Sequence, residues 1–158
     1  MKKIIIIGSP GSGKSIFAKE LAAKLNIPMY HLDMIRHDKD ANPLPQEVFD
    51  EKLDKILHQD SFIIDGNYQR TMEKRISFAD TIFLFDIDTE ICLQGIKERI
   101  GKESVDNPFV SKTLDNEFYE YVKSFKDEYT PEIYKILSKY KDKEIIIFKK
   151  REDKYKYL

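Results

Sequence analysis

The chain has 158 residues, of which 41% are hydrophobic, enough for one well-packed core and too few for two ordinary domains. The 27 basic and 28 acidic residues leave a formal net charge of -1, which excludes a strong overall field that would attract nucleic acid or an anionic membrane. Cys92 is the only cysteine, so an internal disulfide is excluded and we expect a reducing, cytoplasmic location. The apolar run at residues 4–7 is too short for a signal peptide, and we expect a single domain over residues 1–158.

The first part of the chain alternates apolar runs with segments of helical period. Residues 4–7 form a β-branched run, typical of a strand buried on both faces of a parallel sheet. A helix is predicted from Ser15 to Leu25, followed by a short strand at residues 29–32. Residues 33–44 are polar and predict a loop, and Pro45 opens another helix that runs to Leu57.

The second part of the chain continues the same alternation. Strands are predicted at residues 62–64 and 81–85, each followed by an aspartate and a polar turn. Apolar positions then predict helices over residues 92–100 and 114–129, a break at Pro131, further helical turns over residues 133–140, and a last strand at 144–148. These elements predict an α/β fold with a five-stranded parallel sheet and helices on both faces.

A glycine-rich motif follows the first strand. Its spacing, G-x-x-x-x-G-K-S, places backbone N–H groups and a helix N-terminus around a phosphate, adds the Lys14 ammonium, and leaves the Ser15 hydroxyl for Mg²⁺. A dinucleotide fingerprint is excluded because Ile16 stands where its third glycine would be. The motif predicts a site for ATP and Mg²⁺. The predicted nucleotide-binding residues are Gly8, Ser9, Pro10, Gly11, Ser12, Gly13, Lys14, Ser15 and Ile16.

This motif and three further segments resemble the bacterial DNA topology modulation (FlaR-like) proteins, which are relatives of adenylate kinase. The segments are residues 31–33, 63–71 and 79–82, so the likeness covers nearly the whole chain. It implies a P-loop fold of nucleoside-monophosphate-kinase type with strand order 2-3-1-4-5, ATP binding and a small phosphoryl acceptor. An influence on DNA topology is suggested by the family name alone and follows from no residue of this sequence.

The resemblance also implies an acceptor-binding segment at about residues 33–60 and a short lid at about residues 99–112. The chain departs from the family pattern by having no tryptophan in the first of these. It also has one residue more than adenylate kinases between the Asp-Gly pair at 65–66 and the following arginine. The residues expected at the acceptor are Asp33, Arg36, Gly66, Asn67, Arg70 and Arg75.

Catalytic roles are predicted for residues that follow strand ends. Asp65 is expected to hold Mg²⁺ together with Ser15, with an Asx turn as the alternative. Lys14 and Arg70 are expected to stabilise the transferring phosphoryl group, and the resemblance to related kinases implies the same role for Arg99, at the end of the helix after the fourth strand. Asp33 could orient or deprotonate a hydroxyl acceptor, whereas a phosphate acceptor needs no base.

The sequence therefore predicts an ATP-dependent kinase acting on a small molecule, most simply a nucleoside monophosphate. The alternatives are a kinase of a small hydroxyl metabolite, resembling shikimate or gluconate kinases, and a nucleotide-dependent regulator of DNA topology with little kinase activity. The balanced charge does not favour a nucleic-acid partner. Both a monomer and a dimer are compatible with the sequence.

Overall fold

The computed structural model describes residues 1–101 and 114–158 of the chain. Its strands are β1 (Lys3–Gly8), β2 (Met29–His31), β3 (Phe62–Asp65), β4 (Thr81–Phe85) and β5 (Glu144–Phe148). They form one parallel sheet in the order β2-β3-β1-β4-β5, which confirms the predicted fold and strand order. β1 lies in the centre, where Ile5 is opposite Ile64 of β3 and Ile82 of β4. Because all strands are parallel, their carboxyl ends meet at one edge.

Helices cover both faces of the sheet. They are α1 (Lys14–Leu25), α2 (Leu32–Arg36), α3 (Gln46–Leu57), α4 (Gln69–Phe78), α5 (Thr89–Glu98), α6 (Asn116–Glu128) and α7 (Thr130–Leu137). Side chains of β1 alternate between the faces, so Ile4 and Ile6 join a core with α1 and α5. Ile5 and Ile7 join a second core with α3, α4 and α7. This double burial explains why β1 is an unbroken apolar run.

Three elements differ from the sequence prediction. The predicted loop at 33–44 begins as the helix α2, which is too short at five residues to show a helical period. α4 was not predicted, because its buried face includes Thr71 and Arg75 beside Met72 and Ile76 and so hides the apolar pattern. A 3-10 helix at Arg151–Tyr157 was also not predicted, since it buries no residue fully and carries no apolar stripe. Most of the predicted lid at about 99–112 lies outside the described residues.

Candidate active site

The glycine-rich motif forms the turn between β1 and α1. Gly11 and Gly13 adopt left-handed φ values of 80° and 98°, and Gly13 is the N-cap of α1 without a side-chain cap. The backbone N–H groups at this helix end are therefore left for a ligand, and the helix dipole favours an anion there. Lys14, the first residue of α1, is only 6% exposed and lines a cavity above the loop.

That cavity has a volume of about 280 Å³ and lies at the carboxyl edge of the sheet. Its charged lining residues come from four segments that are distant in sequence, and they are Lys14, Asp33, Asp65 and Arg99. Its aromatic lining residues are Tyr68, Phe118 and Tyr121. The fold therefore brings these four charged residues, together with the predicted site residues Pro10, Gly66 and Asn67, to one concave surface, as expected for a ligand site in an α/β sheet.

Asp65 ends β3 and is paired with a histidine. Its Oδ1 lies 2.8 Å from Nδ1 of His31, and because a carboxylate only accepts, the imidazole Nδ1–H is the donor. Oδ2 of Asp65 is buried and has no hydrogen-bond partner in the part of the chain that the structure describes. A buried carboxylate oxygen without a partner is unfavourable on its own, so this atom is suited to a cation or to a water bound to one.

Asp33 lies in the first turn of α2 and is held by a tyrosine. The hydroxyl of Tyr68 donates to Asp33 Oδ1 over 2.6 Å. Burial, reinforced by the Asp33 carboxylate, raises the pKa of Tyr68, so the phenol stays protonated and remains a donor. Tyr68 has φ 20° and ψ 86°, a strained backbone for a residue with a side chain.

Arg75, which was predicted to contact the phosphoryl acceptor, is fully buried. Its guanidinium hydrogen-bonds to the backbone and does not line the cavity. Its guanidinium donates to the carbonyls of Gly66, Asn67 and Tyr68, and its Nε donates to Thr71 Oγ1 over 3.1 Å. Burial lowers the pKa of Arg75 to about 9, partly offset by Asp65. Arg75 thus fixes the loop between β3 and α4, including the strained Tyr68, and this geometry does not support the predicted contact with an acceptor.

The side chain of Asn67 is likewise occupied by backbone. Its Nδ2 donates to the Gly8 carbonyl over 2.8 Å, and its Oδ1 accepts from the Gly8 N–H over 3.1 Å. This pair of hydrogen bonds joins the start of the glycine-rich loop to the loop after β3. Gly66, the residue before Asn67, lines the cavity, and its predicted contact with an acceptor stays a prediction.

Arg36 and Arg70 lie away from the lining of the cavity. Arg36 donates to the Leu44 carbonyl and its guanidinium stacks over the Phe49 ring at 5.7 Å, so it closes the loop after α2. Arg70 makes two hydrogen bonds to Asp50, at 2.7 and 3.2 Å, on an exposed surface between α3 and α4. To bind an acceptor as predicted, each arginine would have to break these contacts and form new ones with the acceptor.

Residues that the sequence did not single out also contribute to the site. Tyr68 follows directly after the Asp-Gly-Asn segment, which could have marked it, while Phe118 and Tyr121 lie in α6, where apolar periodicity does not separate core residues from cavity-lining ones. Burial raises the pKa of Tyr121 to about 12. His31 contributes through its 2.8 Å hydrogen bond to Asp65. In the described residues no group of three or more His, Cys, Asp or Glu side chains could hold a metal ion by itself.

Comparisons with known proteins point to the same fold. No protein-family model matches the chain. The chain is 24% identical to an adenylate kinase of Mycobacterium bovis over 170 aligned positions, covering 89% of this chain and 86% of that protein. Shikimate kinase from Aquifex aeolicus superposes with a TM-score of 0.58 and 22% identity, covering 97% of this chain and 90% of its own. Shikimate kinase from Bacteroides thetaiotaomicron gives a TM-score of 0.55 and 16% identity, covering 94% and 86%.

These similarities establish the α/β fold of P-loop kinases of the nucleoside-monophosphate-kinase type. They support a kinase at low identity and leave the acceptor undetermined, since adenylate and shikimate kinases are both among the similar proteins. None of the three concerns DNA topology, so that part of the sequence resemblance stays a prediction. No helix within residues 1–101 and 114–158 combines the length and apolar character needed to span a membrane.

Proposed function

We propose that this chain is an ATP-dependent phosphotransferase that moves the γ-phosphoryl group of ATP to a small acceptor, a nucleoside monophosphate in the leading version. The observation that carries the proposal is the shared cavity. It brings Lys14 of the glycine-rich loop to the same surface as Asp33, Asp65 and Arg99, which come from three other segments. A phosphate-binding loop next to a pocket with charged and aromatic walls is the arrangement that phosphoryl transfer requires.

The glycine-rich loop would hold the triphosphate. The uncapped N-terminus of α1 offers backbone N–H groups, and no acidic residue in its first turn repels a phosphate. The ammonium of Lys14, held at 6% exposure beside the cavity, would stabilise negative charge that develops on the transferring group. Because burial excludes water, this interaction is stronger than it would be at the surface.

The site also fits Mg²⁺ carried by ATP. The unpartnered Oδ2 of Asp65 supplies one buried carboxylate oxygen, and Ser15 supplies a hydroxyl in the first turn of α1. Mg²⁺ is commonly held by one or two such groups together with substrate phosphates, which agrees with the absence of a self-sufficient metal cluster in the described chain. When bound, Mg²⁺ would neutralise charge on the β- and γ-phosphates. His31 would keep the Asp65 carboxylate oriented through its 2.8 Å hydrogen bond.

The acceptor would occupy the part of the cavity lined by Tyr68, Phe118 and Tyr121. Aromatic faces of this kind stack well on a planar nucleobase, which favours a nucleoside monophosphate. In the transfer, an acceptor oxygen forms a bond to the γ-phosphorus while the bond from that phosphorus to the β,γ-bridging oxygen breaks, and ADP leaves. Arg99, on the wall of the same cavity, would contact the transferring phosphoryl group.

A second candidate is a kinase of a small hydroxyl compound, favoured by the position of Asp33. Its carboxylate lines the cavity and is oriented by the Tyr68 hydroxyl at 2.6 Å. A hydroxyl acceptor loses a proton during transfer, and Asp33 could accept it. Asp33→Asn separates the candidates: turnover should fall about 100-fold with a hydroxyl acceptor and change little with a phosphate acceptor, which arrives without a proton to lose.

The test is ADP production from ATP and Mg²⁺ with a panel of nucleoside monophosphates and of hydroxyl compounds such as shikimate and gluconate. Wild type is run beside Lys14→Ala and the matched control Lys19→Ala, which removes an exposed lysine from the same helix. We expect one acceptor to stimulate ADP production in wild type and in Lys19→Ala, but not in Lys14→Ala. Binding of ATP without stimulation by any acceptor would contradict the proposal and favour the nucleotide-dependent regulator.

A further inference from the structure

The C-terminal 3-10 helix places an arginine against the outer side of the glycine-rich loop. Nη2 of Arg151 donates to the Gly11 carbonyl over 2.6 Å, and the same atom lies 3.4 Å from the Ile91 carbonyl in α5. The two residues are separated by 140 positions in the sequence. A guanidinium hydrogen bond of this length to a carbonyl is of the stronger, charge-assisted kind.

The atoms around this contact are packed so closely that neither Gly95 nor Gly11 could carry a side chain without displacing its neighbours. A Cβ on Gly95 would lie 2.5 Å from the Gly11 oxygen and 2.8 Å from Arg151 Nη2. A Cβ on Gly11 would lie 2.1 Å from the Cys92 carbonyl oxygen. The glycine-rich loop, α5 and the guanidinium therefore meet at a three-way contact that depends on the absence of side chains at both glycines.

The 3-10 helix is itself anchored at several points. The Asp153 carboxylate accepts hydrogen bonds from the backbone N–H groups of Lys149 and Lys150 at 3.0 and 3.1 Å. Lys154 forms a 2.7 Å ion pair with Glu20 of α1. The Tyr157 ring packs on Phe83 of β4 at 5.2 Å between centroids. Because these contacts fix the helix, the guanidinium of Arg151 is held in place before any ligand arrives.

The contact determines which way the peptide between Gly11 and Ser12 faces. Its carbonyl points outward to Arg151, and its N–H donates to the Ser9 carbonyl at 3.2 Å. Gly11 has φ 80°, a region that glycine enters and leaves at little cost. A reversal of this peptide would point the Gly11 carbonyl oxygen at the Ser9 carbonyl oxygen, so both hydrogen bonds that shape the loop would be lost and the loop's N–H groups would no longer be held in place for a phosphate.

We propose that Arg151 is a positioning residue for phosphate binding, acting through the Gly11 carbonyl rather than on the nucleotide. The inference rests on the proposed nucleotide site at the glycine-rich loop. A direct contact with the nucleoside is the competing role, because Arg151 Nε is buried without a hydrogen-bond partner among the described residues. The two roles differ in their dependence on the base: holding the loop affects any polyphosphate, whereas a nucleoside contact affects only ATP.

The experiment is calorimetric titration of ATP and of inorganic tripolyphosphate, each with Mg²⁺, into wild type, Arg151→Ala and Arg151→Lys. We expect Arg151→Ala to weaken both ligands by about the same factor, roughly tenfold, and Arg151→Lys to recover part of the loss. A loss confined to ATP would overturn the inference in favour of a nucleoside contact. Unchanged affinity for both ligands would overturn it outright.

Two further variants make the test independent of removing the arginine. Gly95→Ala introduces a methyl group against the Gly11 oxygen and Nη2, so it should weaken ATP and tripolyphosphate in parallel although Arg151 is retained. Lys156→Ala, which removes an exposed positive charge from the same 3-10 helix, should bind as wild type. Thermal unfolding of each variant shows that the folded protein was titrated. A wild-type chain that binds neither ligand would overturn the proposed function as well, whereas unchanged binding in the variants overturns this inference alone.

Discussion

The two halves of the candidate site are held in different ways. On the nucleotide side, the side chains of Asn67 and Arg151 hydrogen-bond to the backbone of the glycine-rich loop and fix it. The side chain of Lys14 lines the cavity. On the acceptor side, two predicted arginines are engaged elsewhere, Arg70 by Asp50 at the surface and Arg75 by three main-chain carbonyls. A motif built from consecutive residues thus marks its own position in the sequence, although distant side chains complete its geometry, whereas an arginine's role depends entirely on which distant group reaches it.

The largest effect should come from Lys14, which lies on the nucleotide side of the site. Lys14→Ala removes the one ammonium of the glycine-rich loop, and we expect acceptor-stimulated turnover to fall by about 1,000-fold because charge on the transferring group is no longer stabilised. Steady-state kinetics measure this loss. A variant that kept more than about a tenth of wild-type turnover would mean that Lys14 does not act on the phosphoryl group.

The second effect tests whether Arg75 stabilises the fold and does not bind a ligand. Arg75→Met leaves the Gly66, Asn67 and Tyr68 carbonyls without their donor, so we expect the free energy of unfolding to fall by about 3 kcal/mol. Urea denaturation followed by circular dichroism measures it. Arg70→Met is the matched control on the same helix, and because Arg70 is exposed its transition should lie close to that of wild type. Equal stability of Arg75→Met and wild type would show that the carbonyls do not need the guanidinium.

A smaller effect tests whether Arg70 changes partner when an acceptor binds. The Asp50 carboxylate holds Arg70 by a bidentate contact, and this hydrogen bond lowers the pKa of Asp50. If Arg70 is to reach an anionic acceptor, Asp50→Asn should release it and lower the acceptor KM about threefold, while Arg70→Ala should raise it. Initial-rate measurements at varied acceptor concentration check both. If the acceptor KM shifts in the opposite direction or does not change, Arg70 contacts Asp50 at the α3–α4 surface and does not reach the acceptor.

How much of the molecule follows from the sequence depends on how local each signal is. The alternation of strands and helices, the glycine-rich loop and the placement of Asp33 and Asp65 at one edge follow from apolar runs and from residues next to strand ends, whereas the strand order and the place of Arg99 follow from the family resemblance. The role of Arg75 could not be predicted, because its three acceptors are main-chain atoms whose positions depend on the completed fold. Arg151 reaches Gly11 across 140 residues, and no local pattern marks such a contact.

The smallest effect is the loss of stability at acid pH, to which Asp86, directly after β4, should contribute more than Asp50 in α3. Burial opposes ionisation of Asp86, yet hydrogen bonds from Lys149 and Tyr134 bring its pKa below the ordinary 3.8. A carboxyl with a lowered folded pKa stabilises the protein above its unfolded pKa and loses that contribution as the pH falls through the folded value. Asp86→Asn should therefore flatten the loss of stability below about pH 4 more than Asp50→Asn, whose carboxyl is exposed. Unfolding midpoints between about pH 6 and 3 measure the slopes, and equal slopes would contradict this difference.

The most direct test of the account is transfer of label from γ-labelled ATP. Wild type and Lys14→Ala are each incubated with Mg²⁺ and one acceptor at a time from the nucleoside monophosphate and hydroxyl panels, and the products are separated. We expect label on an organic acceptor with wild type and its loss with Lys14→Ala. Label that stays in ATP or appears only in inorganic phosphate, with every acceptor, would contradict a phosphotransferase.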